Sequence, residues 1–209
     1  MPLTASLAKL YFHMDLTSRI TDHFEQSGQL KLDLAPLLSR PIAAAAQLIA
    51  NALLAERKVL ACGNGGSAAN AQYFASRMLN RYEMERPGLA AIPLCSDGPT
   101  LTYIANDGEF SEVFAKQISA LGQAGDILLA MSGSGNSENV LRAIQAAKDR
   151  DMSIIAMSGG DGGQVVELLD DHDIHIGVPH ENAARVQEVY VLTLHCLCDS
   201  IDCLLLGVN

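Results

Sequence analysis

Tryptophan is absent and aromatic residues make up only 5% of the 209 positions. The chain must therefore build its core from its abundant Ala and Leu, which favour helices. Positive charge is short as well: 14 Lys and Arg stand against 24 Asp and Glu, a formal net charge of -10. That balance argues against non-specific binding to nucleic acid or an anionic membrane, although Arg77, Arg81 and Arg86 lie close enough in sequence for a local basic site. No C-x-x-C pair occurs among Cys62, Cys95, Cys196, Cys198 and Cys203, which fall mostly in apolar runs. Reduced, buried thiols in a cytoplasmic protein are the expectation. No run of about eighteen apolar residues occurs, and no basic segment leads into an apolar stretch near the N-terminus, so neither a membrane span nor a signal peptide is expected. No low-complexity segment stands out.

What the chain does have is glycine and serine at two strand ends. Val59 to Cys62 is a short apolar run that meets Gly63-Asn64-Gly65-Gly66, and Ser67 opens an Ala-rich segment with helical spacing. The order is strand, tight loop, helix N-terminus. Glycines bring backbone N–H groups close to a ligand, Ser67 adds a hydroxyl, and the first helical turn adds unpaired N–H groups, a geometry suited to phosphate. Asp126 to Met131 reads as another buried strand, followed by Ser132-Gly133-Ser134-Gly135-Asn136-Ser137 and a helix over Glu138 to Arg150. Serines so close together suit one tetrahedral anion, a small phosphate ester, better than a dinucleotide. The dinucleotide fingerprint Gly63-x-Gly65-x-x-Ala68 also lacks its acidic partner, since Glu83 and Glu85 precede the second strand and Asp97 lies too far on.

Around these loops, strands and helices alternate. Residues 6 to 27 form a helix that ends at Gln26-Ser27-Gly28, and a second begins near Asp33. Pro41 breaks or restarts it before the Ala/Leu helix from Ile42 to Glu56. Further strands are expected at Ala90 to Leu94, where Pro93 marks an edge, at Met152 to Met157 and at Asp173 to Val178. Shorter helices fall at Pro99 to Ala105 and around Phe110 to Leu121, Ser158 to Gly163 reads as a tight connection, and Asn182 to Leu206 closes the chain. The expected organisation is a helical arm over 1–56 and a phosphate-binding domain over 57–209, one structural unit. Its parallel sheet is covered on both faces, with the ligand beyond the strands' carboxyl ends. Apolar positions on the arm and on the closing helix (Val186, Val189, Val191, Leu194, Leu197, Ile201, Leu204) exceed what one sheet face covers, so self-association is expected.

Gly63-Asn-Gly-Gly-Ser67, Ala105-Asn-Asp107, Ser132-Gly-Ser-Gly-Asn-Ser137, Asp161-Gly-Gly163 and Ala184-Arg-Val-Gln-Glu188, in that order and spacing, resemble the sugar isomerase (SIS) domain family. Within it they are most similar to the branch that holds phosphoheptose isomerase and the DnaA initiator-associating protein. The resemblance implies a flavodoxin-like three-layer sandwich with a five-stranded parallel sheet and an N-terminal helical arm, a homotetramer with sites at subunit interfaces, and a sugar phosphate as ligand. Position by position it implies contacts at Asn64, Gly65, Gly66, Ser67, Asn106, Asp107, Ser132, Gly133, Ser134 and Ser137. Gly133 stands where the isomerase has a hydroxyl residue, which removes one phosphate hydrogen bond. Gln187 and His195 match residues that reach the isomerase's reacting centre and metal, and their spacing puts them on one face of the closing helix.

The departures from the family shape the expected function. Moving a proton between adjacent carbons needs a base and a second group for the oxygens. Where the isomerase presents His-Phe-Ala-x-Glu, this chain has Tyr73-Phe-Ala-Ser-Arg77. A guanidinium cannot act as base, and a phenol binds zinc poorly. No metal is therefore expected, with zinc entering only on the isomerase reading. Ala68 to Gln72 and Cys196 to Asp202 lean toward the initiator-associating branch, while His195 leans the other way. The expectation is a cytoplasmic, tetrameric phosphosugar-binding regulator of replication initiation without isomerase activity. Its protein partner is DnaA, contacted in part through Leu205-Leu206, and it binds neither nucleic acid nor membrane directly. The alternative is a phosphoheptose isomerase acting on sedoheptulose 7-phosphate.

Overall fold

The structure, a computed structural model, describes residues 15–207; the part of the first expected helix before residue 15 lies outside them. Apolar runs without alternation form the strands. β1 (Val59–Gly63) and β3 (Ile127–Ser132) are buried along their whole length and β4 (Ser153–Gly159) along all but its first residue. Such runs belong to a parallel sheet covered on both faces. With β2 (Ala91–Pro93) and β5 (Ile174–Val178) they make a five-stranded parallel sheet in the order β2-β1-β3-β4-β5. β2 is an edge strand that stops at Pro93, where a missing N–H costs nothing to a neighbour.

Helices cover both faces. On one lie α1 (Leu16–Leu54), α2 (Gly66–Leu79) and α7 (Ala183–Leu206), with Ile49, Phe74, Met78, Tyr190 and Leu194 packed on Leu129 and Ile155. On the other lie α3 (Gly98–Asp107), α4 (Ala115–Leu121), α5 (Glu138–Lys148) and α6 (Gly163–Glu167), with Phe114, Ile118, Ile144 and Val165 on Leu60, Leu128 and Ile154. Each of these fully buried side chains contributes roughly 1.5–3 kcal/mol. The result is a flavodoxin-like three-layer sandwich. The expected helix around Phe110 to Leu121 resolves into a 3-10 turn at Phe110–Glu112 and α4.

The expected break near Gly28 and at Pro41 is corrected by a single helix, α1, that runs through Pro36 and Pro41. Each proline deprives the carbonyl four residues earlier, at Leu32 and Leu37, of its helical donor. Those residues are 71% and 56% exposed, so water reaches that side of the helix. The opposite side buries Leu34, Leu38, Ala45, Ala46 and Ile49 against α7 and the sheet, which offsets the strain. By length and hydropathy α1 and α7 could each cross a membrane; here each packs one side into the core. Most of the apolar surplus on α7 is covered within the chain by α1 and α2, whereas Leu16, Ile20, Phe24 and Leu32 leave an apolar stripe exposed along α1.

The three clustered arginines do not form a basic patch. Arg81 pairs with Glu85 at 3.0 Å. Arg86 is buried, its Nε donating to Asp202 Oδ1 at 2.5 Å and its Nη groups to the carbonyls of Arg77 and Met78 at 3.1 and 3.0 Å. It thus takes up the last carbonyls of α2, the orphan acceptors of any helix end. Asp202 Oδ2 is buried with no partner among the described residues. Asp202→Ala should lower stability by roughly 3–5 kcal/mol because it strands a buried guanidinium, and Arg86→Met with Asp202→Leu should cost less than either change alone. Urea unfolding followed by circular dichroism measures both, and simple additivity of the two losses would contradict a coupled pair.

Candidate active site

β1 and β3 are neighbours, yet the chain leaves β1 toward β2 on one side and β3 toward β4 on the other. The loops after β1 and β3 therefore open into one crevice, the switch point of the sheet. A Cβ at Gly63 would lie 2.6 Å from Ser67 Cβ and 2.8 Å from the Met131 carbonyl oxygen, so only glycine lets the first loop settle there. The turn is closed by the Ser67 N–H donating to the Asn64 carbonyl at 2.9 Å, with Gly65 at φ +54° before the helix. In the second loop the Ser132 hydroxyl donates to Ser137 Oγ at 3.1 Å, and Ser134 and Gly133 face solvent. Ser137 stands at the N-cap of α5 but makes no capping bond with its side chain, which leaves its hydroxyl proton and the first N–H groups of α5 for an anion.

The turn expected as a mere connection braces this serine loop. A Cβ on Gly135 would strike the Gly162 carbonyl at 1.9 Å. The Val165 N–H donates to the Gly135 carbonyl at 3.0 Å and the Gln164 N–H to Asn136 Oδ1 at 2.9 Å. Beneath it the Ser158 hydroxyl bonds His175 Nε2 at 2.7 Å, and burial holds that imidazole below its ordinary pKa. A cavity of about 520 Å³ opens beside the loop, lined by Ser134, Asn136, Asp161, His180 and Glu181 among others.

Three side-chain contacts tie the site together. Asn64 and Asn139 exchange two amide hydrogen bonds, each 2.8 Å. Gln187 accepts from Asn70 Nδ2 at 2.8 Å through Oε1 and donates from Nε2 to Ser67 Oγ at 3.0 Å. One turn or two further along both helices, the Tyr73 hydroxyl and His195 Nε2 are hydrogen-bonded at 2.9 Å. Arg77, with no carboxylate partner among the described residues, lies over the Tyr73 ring at 5.0 Å rather than pairing with Glu83 or Glu85. Asn106 and Asp107 are not drawn into the cluster: they are exposed at the end of α3, bonded to each other at 3.4 Å and to neither loop among the described residues. Asn70 and Asn139, both buried, are the functional candidates that sequence reasoning missed. Their one local signal is an amide where the apolar spacing of the helix calls for a core residue.

The side chains on the metal positions implied by the resemblance do not fit a divalent cation. They offer one imidazole already bonded to a phenol, an amide oxygen already bonded to Asn70, and a guanidinium in place of a carboxylate.

A doubly wound parallel sheet with a glycine loop and a serine loop meeting at its switch point defines an α/β protein of the three-layer type. The chain belongs to the SIS domain family, whose pattern matches residues 22–159. The phosphoheptose isomerase of Aromatoleum aromaticum is 58% identical over 196 residues, covering 94% of this chain and 99% of that protein. The solved phosphoheptose isomerase from Neisseria gonorrhoeae is 46% identical with a TM-score of 0.85, covering 90% of this chain and 98% of that one. The one from Francisella tularensis, also 46% identical, gives 0.87 over 90% of this chain and 99% of the other.

These relatives overturn the expectation of a non-catalytic regulator bound to DnaA and favour the isomerase alternative. The expectation took Tyr73 and Arg77 as lost chemistry; in the structure the Tyr73 hydroxyl is hydrogen-bonded to His195 and the Arg77 guanidinium lies over the Tyr73 ring. Ser137→Ala should weaken inorganic phosphate binding by roughly 1.5–3 kcal/mol, the loss of one bond to a charged group. Titration calorimetry measures this, and an unchanged affinity would remove Ser137 from the anion site.

Proposed function

We propose that the protein is an aldose–ketose isomerase of sugar phosphates, with sedoheptulose 7-phosphate as its substrate. Support comes from relatives named phosphoheptose isomerase that match nearly the whole chain. The observation that carries the reading is the Tyr73–His195 hydrogen bond at 2.9 Å on the helix pair that also holds Ser67 and Gln187.

In this reading the serine loop and the N-terminus of α5 take the phosphate, fixing one end of the sugar. In the tautomer that donates Nε2–H to the phenol oxygen, Nδ1 is the basic nitrogen, and His195 in that form removes a proton from one carbon and returns it to its neighbour. Tyr73 handles the proton that moves between the two oxygens. Negative charge builds on those oxygens in the enediolate, and the Arg77 guanidinium beside Tyr73 supplies a fixed opposite charge. The same reading makes the enzyme cytoplasmic and homotetrameric, the exposed stripe of Leu16, Ile20, Phe24 and Leu32 supplying apolar surface for neighbouring subunits.

Incubation of the purified protein with sedoheptulose 7-phosphate, with and without added zinc, followed by NMR, should show aldose product at a rate that zinc does not raise. His195→Ala should reduce turnover by about 100-fold or more, the usual worth of a general base. Absence of product from the unmutated protein under both conditions would sink the proposal. Light scattering should give a tetramer; a monomer would remove the assembly.

A further inference from the structure

We infer that Asn139 is a positioning residue that sets the spacing between the two anion-binding loops and thereby the affinity of the site for its phosphosugar. The inference rests on the phosphosugar reading of the site given above. Asn139 lies in the first turn of α5, immediately after the serine loop, and is only 3% exposed. Among the described residues its side chain bonds only to Asn64, in the glycine loop after β1, through the two reciprocal contacts. Beyond the pairing of β1 with β3, no other side-chain hydrogen bond joins the two loops among the described residues. The clasp therefore decides how far apart the loops stand at the level where they meet a ligand.

The chemistry of the clasp is specific to amides. Each partner presents one donor and one acceptor, and the two-bond ring closes only when both do so. A carboxylate at either position would face the other's Oδ1 with a second acceptor and set a negative charge beside an anion site. The clasp engages both polar atoms of Asn64, whose side chain was expected to contact the sugar, and leaves it one N–H and one lone pair. Asn64 serves the ligand through its backbone and through the loop geometry that Asn139 holds.

The test is titration calorimetry of Asn64→Ala, Asn139→Ala, the double variant and Asn139→Asp with inorganic phosphate and with sedoheptulose 7-phosphate, alongside kcat and KM. Each alanine variant should weaken both ligands by about tenfold, and the double variant no further, because the two residues act as one unit. Asn139→Asp should weaken them more than alanine does, and the loss should fall on KM more than on kcat. Should Asn139→Ala fail to fold, Asn64→Ala reports on the same clasp from a half-buried position. Wild-type affinity in Asn139→Ala with a lowered melting temperature, or single losses that add in the double variant, would overturn the inference alone. No binding of either ligand by the unmutated protein would overturn the phosphosugar reading and this inference with it.

Discussion

A side chain at position 63 has nowhere to go, and much of the structure follows from that. With hydrogen in place of a Cβ, the end of β1 can lie against the Met131 carbonyl while the chain turns at once into α2. The glycine loop is thereby laid beside the serine loop, and the axis of α2 is set so that Ser67, Asn70 and Tyr73 fall along the side that meets α7. Any larger residue at position 63 would push the loop off β3 and turn that side of the helix away from its partner.

The contact between α2 and α7 then carries two duties at once. Gln187 and His195 reach toward the site, while their sequence neighbours Val186 and Leu194 are core residues with almost no exposure. Farther along, Arg86 and Asp202 fasten the other end of α2 to α7. Positioning at one end of the helix pair and stability at the other are thus mechanically joined. The Tyr73–His195 hydrogen bond lies between a buried ion pair and an amide network, with little freedom to drift.

The fold was legible in the sequence because its signals are local. Buried strands such as Ile127–Ser132 read as apolar runs, and the loops after them read as glycine and serine clusters. Two features were not local. Pro41 obeys the rule that proline ends helices until a neighbour makes continuation worthwhile, and here the neighbours are α7 and β5, far along the chain. The partnership of Tyr73 with His195 spans 122 residues, and that of Asn64 with Asn139 spans 75. No periodicity reports such meetings. The sequence therefore displayed Tyr73 and Arg77 as departures from a pattern, and only their placement shows that the phenol found a new partner while the guanidinium came to rest on its ring.

The amide clasp between the loops has one further property, which follows from its being uncharged. A sugar phosphate arrives as a monoanion or a dianion depending on the pH of its surroundings, and mobile ions crowd around it. An ion pair bridging the same gap would be screened by those ions and would compete with the ligand for its own partner. Two primary amides neither titrate nor attract counter-ions, so on the proposed phosphosugar reading the jaws of this site would keep one gauge in dilute and in concentrated salt and for either charge state of the guest.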